Sequence, residues 1–290
     1  MNKIQIFVIM VMIFAIISCN KKEKINYPET VKTNDTDDYF GTIVADPYRW
    51  LEDDNSAETA EWVKQQNKVT SDFLSKIPYR EQLKAKLLKI WDYPKEGAPF
   101  RKADKYFVFR NNGLQNQSVL YCKTALDGTE TELLDPNKLS ENGTKSLSTL
   151  SISDDGKLMG YAISTAGSDW EEIFVRNIET KEDLTDNIKW VKFSGISWYK
   201  DGFYYNRYPE PAKGAELSGQ NINSKIYYHK MGTPQINDIL IYENPSKPEI
   251  GFSASVSDSK KYLLIYPSES TSGNALYVKE IENNKAQEIK

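Results

Sequence analysis

Beyond Pro94 the chain is written in short alternating runs of apolar and polar residues. KYFVFR (105–110), SVLYCK (118–123), KLMGYAIS (157–164), EIFVRN (172–177), FYYNRY (203–208), KIYYHK (225–230), KYLLIY (261–266) and ALYVKE (275–280) each alternate with a period of two. Such a pattern predicts β-strands half-buried on a sheet. Turn dipeptides separate them: Asp127-Gly128, Asp155-Gly156, Asp201-Gly202 and Asn283-Asn284. The runs also repeat. Leu120-Tyr121-Cys122, Ile173-Phe174-Val175, Ile226-Tyr227-Tyr228 and Leu276-Tyr277-Val278 begin 53, 53 and 50 residues apart, and a hairpin precedes each. A four-stranded unit recurring about every 50 residues predicts the blades of a β-propeller rather than unrelated hairpins in a sandwich. The fourth unit runs to Ile289-Lys290, inside or just before its last strand, so residues 95–290 read as a partial propeller cut off in its fourth blade.

Ahead of the strands the period changes. DPYRWLED (46–53) packs Tyr48, Trp50 and Leu51 between acidic residues, and helical spacing follows it. Asn55 with Glu58 three residues later reads as a capping-box variant opening a helix from Ser56 to about Leu74, with Ala60, Val63, Phe73, Leu74 and Ile77 along one face. Pro78 is placed as a first-turn residue of a second helix, about Tyr79 to Trp91, with Leu83, Leu87, Leu88 and Trp91 turned inward. Together these predict a helical hairpin with a hydrophobic side within residues 31–94.

The first residues follow another rule. One lysine, Lys3, precedes an apolar run from about Ile4 to Ile17, shorter than the ~20 residues a spanning helix needs. A charged start, a short apolar core and a small residue before the cut describe a secretory signal over residues 1–18. Ile16-Ile17-Ser18-Cys19 resembles a bacterial lipobox, with Cys19 as the lipidated residue; an ordinary signal or a short anchor is the alternative. Residues 19–30 then serve as a tether. The expected location is outside the cytoplasm, as a membrane-anchored lipoprotein facing the periplasm or on the cell surface.

Composition narrows the chemistry. The 290 residues carry a formal charge of −4 with both signs scattered, which argues against a nucleic-acid partner. Removal of residues 1–18 would take Lys3 and leave 36 basic against 41 acidic side chains. The length suits one large or two ordinary domains. With Cys19 lipidated, Cys122 has no intramolecular partner and reads as a small buried apolar residue. No G-x-S-x-G elbow occurs, and the single histidine, His229, lies in an alternating strand, where it reads as structural. A serine without a base is not an effective nucleophile. No H-E-x-x-H, paired cysteines or phosphate loop is present, so no cofactor or metal is expected. Asp154-Asp155-Gly156-Lys157 lacks the later acidic ligands of a calcium loop and falls at a hairpin turn.

From about Tyr27 onward the chain resembles the N-terminal part of prolyl oligopeptidase. DPYRWLED, the helix ending QQNKVTSDFL, GLQNQSVLY (113–121), SISDDGKLMGYAISTAGSDW, WVKFSGISW and IYYHKMGT occur in that family's order, with GLQNQSVLY and GSDW (167–170) the most specific. The resemblance implies a mainly β fold: about four blades of a seven-bladed propeller, preceded by a helical hairpin that wraps an α/β-hydrolase domain. In that family a Ser-Asp-His triad cleaves short peptides after proline, and all three residues lie in the later part of the chain. The resemblance therefore implies a propeller-bearing portion without catalytic residues, inactive alone, whose partners are proline-containing peptides and a hydrolase portion in cis or in trans. His229 matches a propeller segment of the family, not its catalytic histidine. Phe193, in WVKFSGISW, matches a phenylalanine that faces the substrate cavity. An arginine and a cysteine of the family fall near Ser268 and Thr271, so a guanidinium contact to peptide is lost there. The alternative reading is a non-catalytic, lipid-anchored propeller that binds peptides or a protein.

Overall fold

A computed structural model describes residues 25–269, 275–281 and 286–289, and the chain divides into two compact units, Met1–Lys84 and Ala85–Lys290. The proposed signal segment, Cys19, Thr271 and the Asn283-Asn284 turn lie outside the described residues. Among those residues no helix is long and apolar enough to cross a membrane.

In the first unit, β1 (Thr36–Tyr39) and β2 (Thr42–Ala45) form an antiparallel hairpin. Its two turn residues, Phe40 and Gly41, both take positive φ (56° and 89°), as a tight hairpin turn between right-twisted strands requires. DPYRWLED packs against this hairpin and the extended segment before it. Arg49 Nη1 donates to Asp37 Oδ1 (2.9 Å) and Nε to Asp46 Oδ2 (3.0 Å), and Trp50 Nε1 donates to the Val31 carbonyl (2.9 Å). Hydrogen bonding to the Arg49 guanidinium holds the Asp37 carboxyl below the usual carboxylate range.

Helix α1 spans Ala57–Ser75. Its cap is Ser56 rather than Asn55: extended Ser56 (φ −73°, ψ 147°) accepts from Thr59 N through its side chain. The Asn55 side chain is instead drawn to Asp54 Oδ1, at 2.9 Å. Helix α2 spans Arg80–Trp91, and Pro78 lies in the turn ahead of it, closed by Arg80 N donating to Ile77 O (3.1 Å), instead of in its first turn. The side chains expected to turn inward, Leu83, Leu87, Leu88 and Trp91, are exposed, and so are Val63, Phe73 and Leu74. Helical periodicity marks an apolar face; it does not supply the element that covers it.

The second unit consists of four antiparallel meanders. The first has β3 (Lys95–Glu96) and β4 (Phe100–Lys102) both paired to β5 (Lys105–Asn111), followed by β6 (Val119–Lys123) and β7 (Thr131–Leu134). The second runs β8 (Lys145–Ile152), β9 (Leu158–Thr165), β10 (Glu171–Asn177), β11 (Asp183–Val191). The third runs β12 (Ser197–Tyr199), β13 (Gly202–Arg207), β14 (Lys225–Lys230), β15 (Ile239–Tyr242). The fourth runs β16 (Gly251–Val256), β17 (Tyr262–Ser268), β18 (Leu276–Glu280), β19 (Ala286–Ile289), so its fourth strand is present and paired.

Three apolar layers separate successive sheets. Phe107, Leu120 and Leu134 meet Met159 and Tyr161 between the first and second. Ile173, Val175 and Ile188 meet Trp198, Phe203 and Tyr205 between the second and third. Tyr204 and Ile226 meet Phe252, Leu263 and Ile265 between the third and fourth. Each inner sheet thus buries both faces against its neighbours, which is propeller packing and not a two-sheet sandwich. Gly202 shows how tightly the third blade closes: a Cβ there would lie 2.0 Å from the His229 carbonyl oxygen.

Candidate functional site

A groove of about 380 Å³ opens between the third and fourth blades, with Phe193 on its rim. Phe193 follows β11 and is fixed by its neighbours. The Lys192 carbonyl accepts from Asn206 Nδ2 (2.9 Å), and Ser194 Oγ accepts from Asn206 N (2.9 Å). With buried residues pinned on both sides, Phe193 takes a left-handed conformation (φ 53°) and its ring stands 62% exposed at the groove. Non-glycine residues enter that region at a steric cost, so the conformation is imposed by the clamp around Asn206.

Lys192 itself is buried. Its Nζ donates to Asn221 Oδ1 (2.8 Å) and stands 4.0 Å from the centre of the Trp170 ring. Burial pushes its ammonium pKa down. Trp170, the last residue of GSDW, contacts Trp190 edge to face at 5.4 Å and donates through Nε1 to the Glu216 carbonyl (2.6 Å). GSDW thus builds the scaffold behind Phe193. GLQNQSVLY is structural in the same sense. Gln117 Nε2 donates to Lys145 O (2.8 Å) and its Oε1 accepts from Leu147 N (3.0 Å), tying the first blade to the second.

The remaining groove wall comes from Asn206 and Tyr208 at the end of the third blade's second strand and from Phe252, Tyr266 and Ser268 of the fourth blade. Phe193 and Ser268 therefore meet in one groove. Glu249 and Glu269 are its ionisable carboxylates. No alternation or spacing rule identifies Asn206, Glu249 or Glu269; Asn206 stands out only as an amide inside the aromatic run FYYNRY.

His229 is fully buried, away from the groove's lining. Its Nδ1 lies 2.7 Å from Asp238 Oδ1 and its Nε2 3.0 Å from Asp186 Oδ1. Asp186 also accepts from Gly232 N (2.6 Å), and the other oxygen of Asp238 from Tyr205 Oη (2.6 Å). Burial by itself pushes the imidazole pKa down, but hydrogen bonds and charge from Asp238 and Asp186 outweigh it and hold the group above its ordinary value. The cluster joins β11 of the second blade to β14 and the turn before β15 of the third. With both ring nitrogens bound to carboxylates, His229 has no lone pair directed at a serine.

The acidic pair at the turn between β8 and β9 is also engaged. Asp155 Oδ1 accepts from Ser153 Oγ (2.7 Å) and Lys157 N (3.1 Å). Asp154 pairs with Lys102 (2.7 Å) and with Lys260, joining this turn of the second blade to the first blade and to a turn of the fourth. Cys122 lies in the first apolar layer, and burial raises its thiol pKa.

Comparison with known proteins agrees with this architecture. The family profile described as "Prolyl oligopeptidase, N-terminal beta-propeller domain" matches residues 28–290. A prolyl endopeptidase of Elizabethkingia meningoseptica is 47% identical over 271 residues, covering 93% of this chain and 38% of that protein. Prolyl oligopeptidase A of Amanita bisporigera is 37% identical and likewise has 38% of its length matched, from 89% of this chain. Among solved structures, one from a study of two prolyl endopeptidases and their inter-domain dynamics superimposes with a TM-score of 0.81 at 29% identity, over 91% of this chain and 39% of that one. Prolyl oligopeptidase B from Galerina marginata, bound to a 35-residue hydrolysis and macrocyclization substrate, gives 0.75 at 33% identity, over 88% and 39%. The chain thus spans under two-fifths of the length of these relatives. Four meander sheets stacked through apolar layers, matched by the propeller profile over nearly their whole extent, place this chain in the prolyl oligopeptidase family as its N-terminal β-propeller portion.

Proposed function

We propose that this chain supplies the substrate-admitting portion of a prolyl oligopeptidase-type serine peptidase and does not cleave peptides by itself. One observation carries the reading: the only histidine in 290 residues is buried with both ring nitrogens on Asp186 and Asp238. A Ser-His mechanism needs an imidazole nitrogen facing the nucleophile, and the G-x-S-x-G elbow that would present a serine is absent as well. Peptide hydrolysis after proline, the activity named for the relatives, would require a hydrolase portion joined in cis or supplied in trans.

The groove beside Phe193 is the peptide-facing surface in this reading, with Phe193 offering an exposed ring to an apolar side chain. The exposed apolar faces of α1 and α2 supply the surface that wraps the hydrolase portion. The apolar run ahead of Ser18-Cys19 supports export and lipid attachment at Cys19, with the remainder facing the periplasm or the cell surface. A second reading, a non-catalytic peptide-binding lipoprotein, has support in one feature: the groove is formed wholly by this chain's own residues.

The deciding experiment is hydrolysis of a chromogenic Gly-Pro substrate by the purified chain, with and without a separately produced hydrolase portion of a close relative. No turnover alone and turnover on mixing supports the peptidase reading. No turnover in either case, with peptide binding retained, supports the binding protein. Turnover by the homogeneous chain alone overturns both.

A further inference from the structure

Asparagine is a thermolabile residue, and a glycine after it removes the Cβ that would hinder the side-chain amide from closing on the backbone. The chain carries two such pairs, Asn112-Gly113 and Asn142-Gly143, and the fold treats them differently. Gly113 is buried, its N–H donates to Asn111 Oδ1 (2.9 Å), and a Cβ on it would run into Asp92 and the Tyr93 backbone. Asn142 and Gly143 are both exposed, in the loop between Pro136–Lys138 and β8. The Gly143 N–H makes a long hydrogen bond to the Ser140 carbonyl (3.3 Å). Among the described residues, a Cβ on Gly143 would come near Asn116 Nδ2 alone, at 3.6 Å. The independent observation lies at the electrophile. Asn142 Oδ1 accepts from Thr144 N (3.2 Å) and from Thr144 Oγ1 (2.7 Å). Two donors on one amide oxygen draw charge away from Cγ and stabilise the anion that forms there on attack, as an oxyanion hole does for an acyl group.

We propose that Asn142 is a site of spontaneous covalent modification, closing with Gly143 to a succinimide that opens to aspartate and isoaspartate, while the fold preserves Asn112. Hydroxide removes the Gly143 amide proton, and the nitrogen attacks Asn142 Cγ. The N–Cγ bond forms as Cγ–Nδ2 breaks, and Nδ2 leaves as ammonia with a proton from water. Water then adds to one of the two ring carbonyls. Cleavage of the N–Cγ bond restores the backbone with a carboxylate on residue 142. Cleavage of the original peptide bond instead routes the chain through Cγ, one methylene longer. In sum one water is consumed and one ammonia released, with no oxidant or reductant. Either product adds a negative charge to the loop that leads into β8, where the Lys145 carbonyl holds Gln117 of the first blade. The longer backbone also displaces Thr144, whose carbonyl accepts from Ala166 N (2.8 Å). The modified chain therefore carries an altered connection between its first two blades.

Tryptic mapping separates the two sites, since Lys138 and Lys145 bracket Asn142 while Arg110 and Lys123 bracket Asn112. The full chain is held in mildly alkaline buffer, native and in guanidinium chloride, and mass spectrometry follows the fraction with a carboxyl in place of the amide. Isoaspartyl methyltransferase labels the product with the longer backbone. In the native chain Asn142 should convert at least about tenfold faster than Asn112, which reacts only after local opening. In guanidinium chloride the two rates should come together. Thr144→Val keeps the side-chain shape and removes the hydroxyl donor, so it should slow native conversion of Asn142 about fivefold, the factor of one neutral hydrogen bond. Its effect in guanidinium chloride should be far smaller. Equal native rates at the two sites, or an Asn142 that converts in guanidinium chloride and stays intact in the native chain, overturns the proposal. A native rate unaltered by Thr144→Val overturns the polarised Cγ.

Discussion

The Asp186–His229–Asp238 cluster makes a pH dependence that a catalytic histidine would not. In the folded chain the imidazole pKa is raised above its ordinary 6.5, since two buried carboxylates hold the charged form. A raised folded-state pKa contributes stability that is fully present below the unfolded value, about 6.5, and that is lost as pH climbs through the folded value. One proton exchanged gives a slope of at most about 1.4 kcal/mol per pH unit across that window. His229→Gln removes the titration and leaves two buried carboxylates without their cation, which costs about 3–5 kcal/mol where the histidine is charged. Urea unfolding followed by tryptophan fluorescence, at intervals from pH 6 to pH 9, measures both quantities. The wild-type chain should lose stability as pH climbs above about 6.5, and the gap to His229→Gln should narrow as it does. Stability that is flat or rising above pH 6.5, or an equal slope in both proteins, would refute the charged clamp.

Three further outcomes bear on other parts of the fold. Gly202→Ala should destabilise the second unit by more than about 2 kcal/mol, since the added Cβ meets the His229 carbonyl at 2.0 Å, and a denaturation midpoint within error of wild type would contradict the packing. Ser56→Ala should cost about 1 kcal/mol of α1 stability, read by hydrogen exchange of the first helical turn, whereas Asn55→Ala should leave that exchange unchanged. The exposed Phe73, Leu74, Leu83, Leu87, Leu88 and Trp91 should make the folded chain bind an apolar dye, and Leu83→Glu with Leu87→Glu should reduce that signal without altering the β-sheet circular dichroism.

The two central strands of every blade are legible from alternation, because their faces carry the apolar layers and Asp-Gly pairs mark several of the turns. The outer strands are harder to read. β3, β4, β7 and β15 are two to four residues long, and an edge strand paired on one side has less apolar surface to declare it. Phe193 is placed through family resemblance, since a lone aromatic in a loop has no pattern of its own. Its left-handed backbone and the Asn206 clamp behind it are tertiary facts. The histidine is legible as structural from its strand, yet Asp186 lies 43 residues before it and Asp238 nine after it, and only the blade seam brings them together. The cap falls on Ser56 rather than Asn55 because Asp, Asn and Ser in series offer several local acceptors, and backbone geometry chooses among them.

The central proposal, that these residues would supply the admitting surface and no cutting groups, is tested most directly by a fluorophosphonate probe that labels activated serines. Intact-mass measurement of the homogeneous chain after exposure to excess probe should show the unmodified mass alone. A stoichiometric single adduct on one serine would contradict the account.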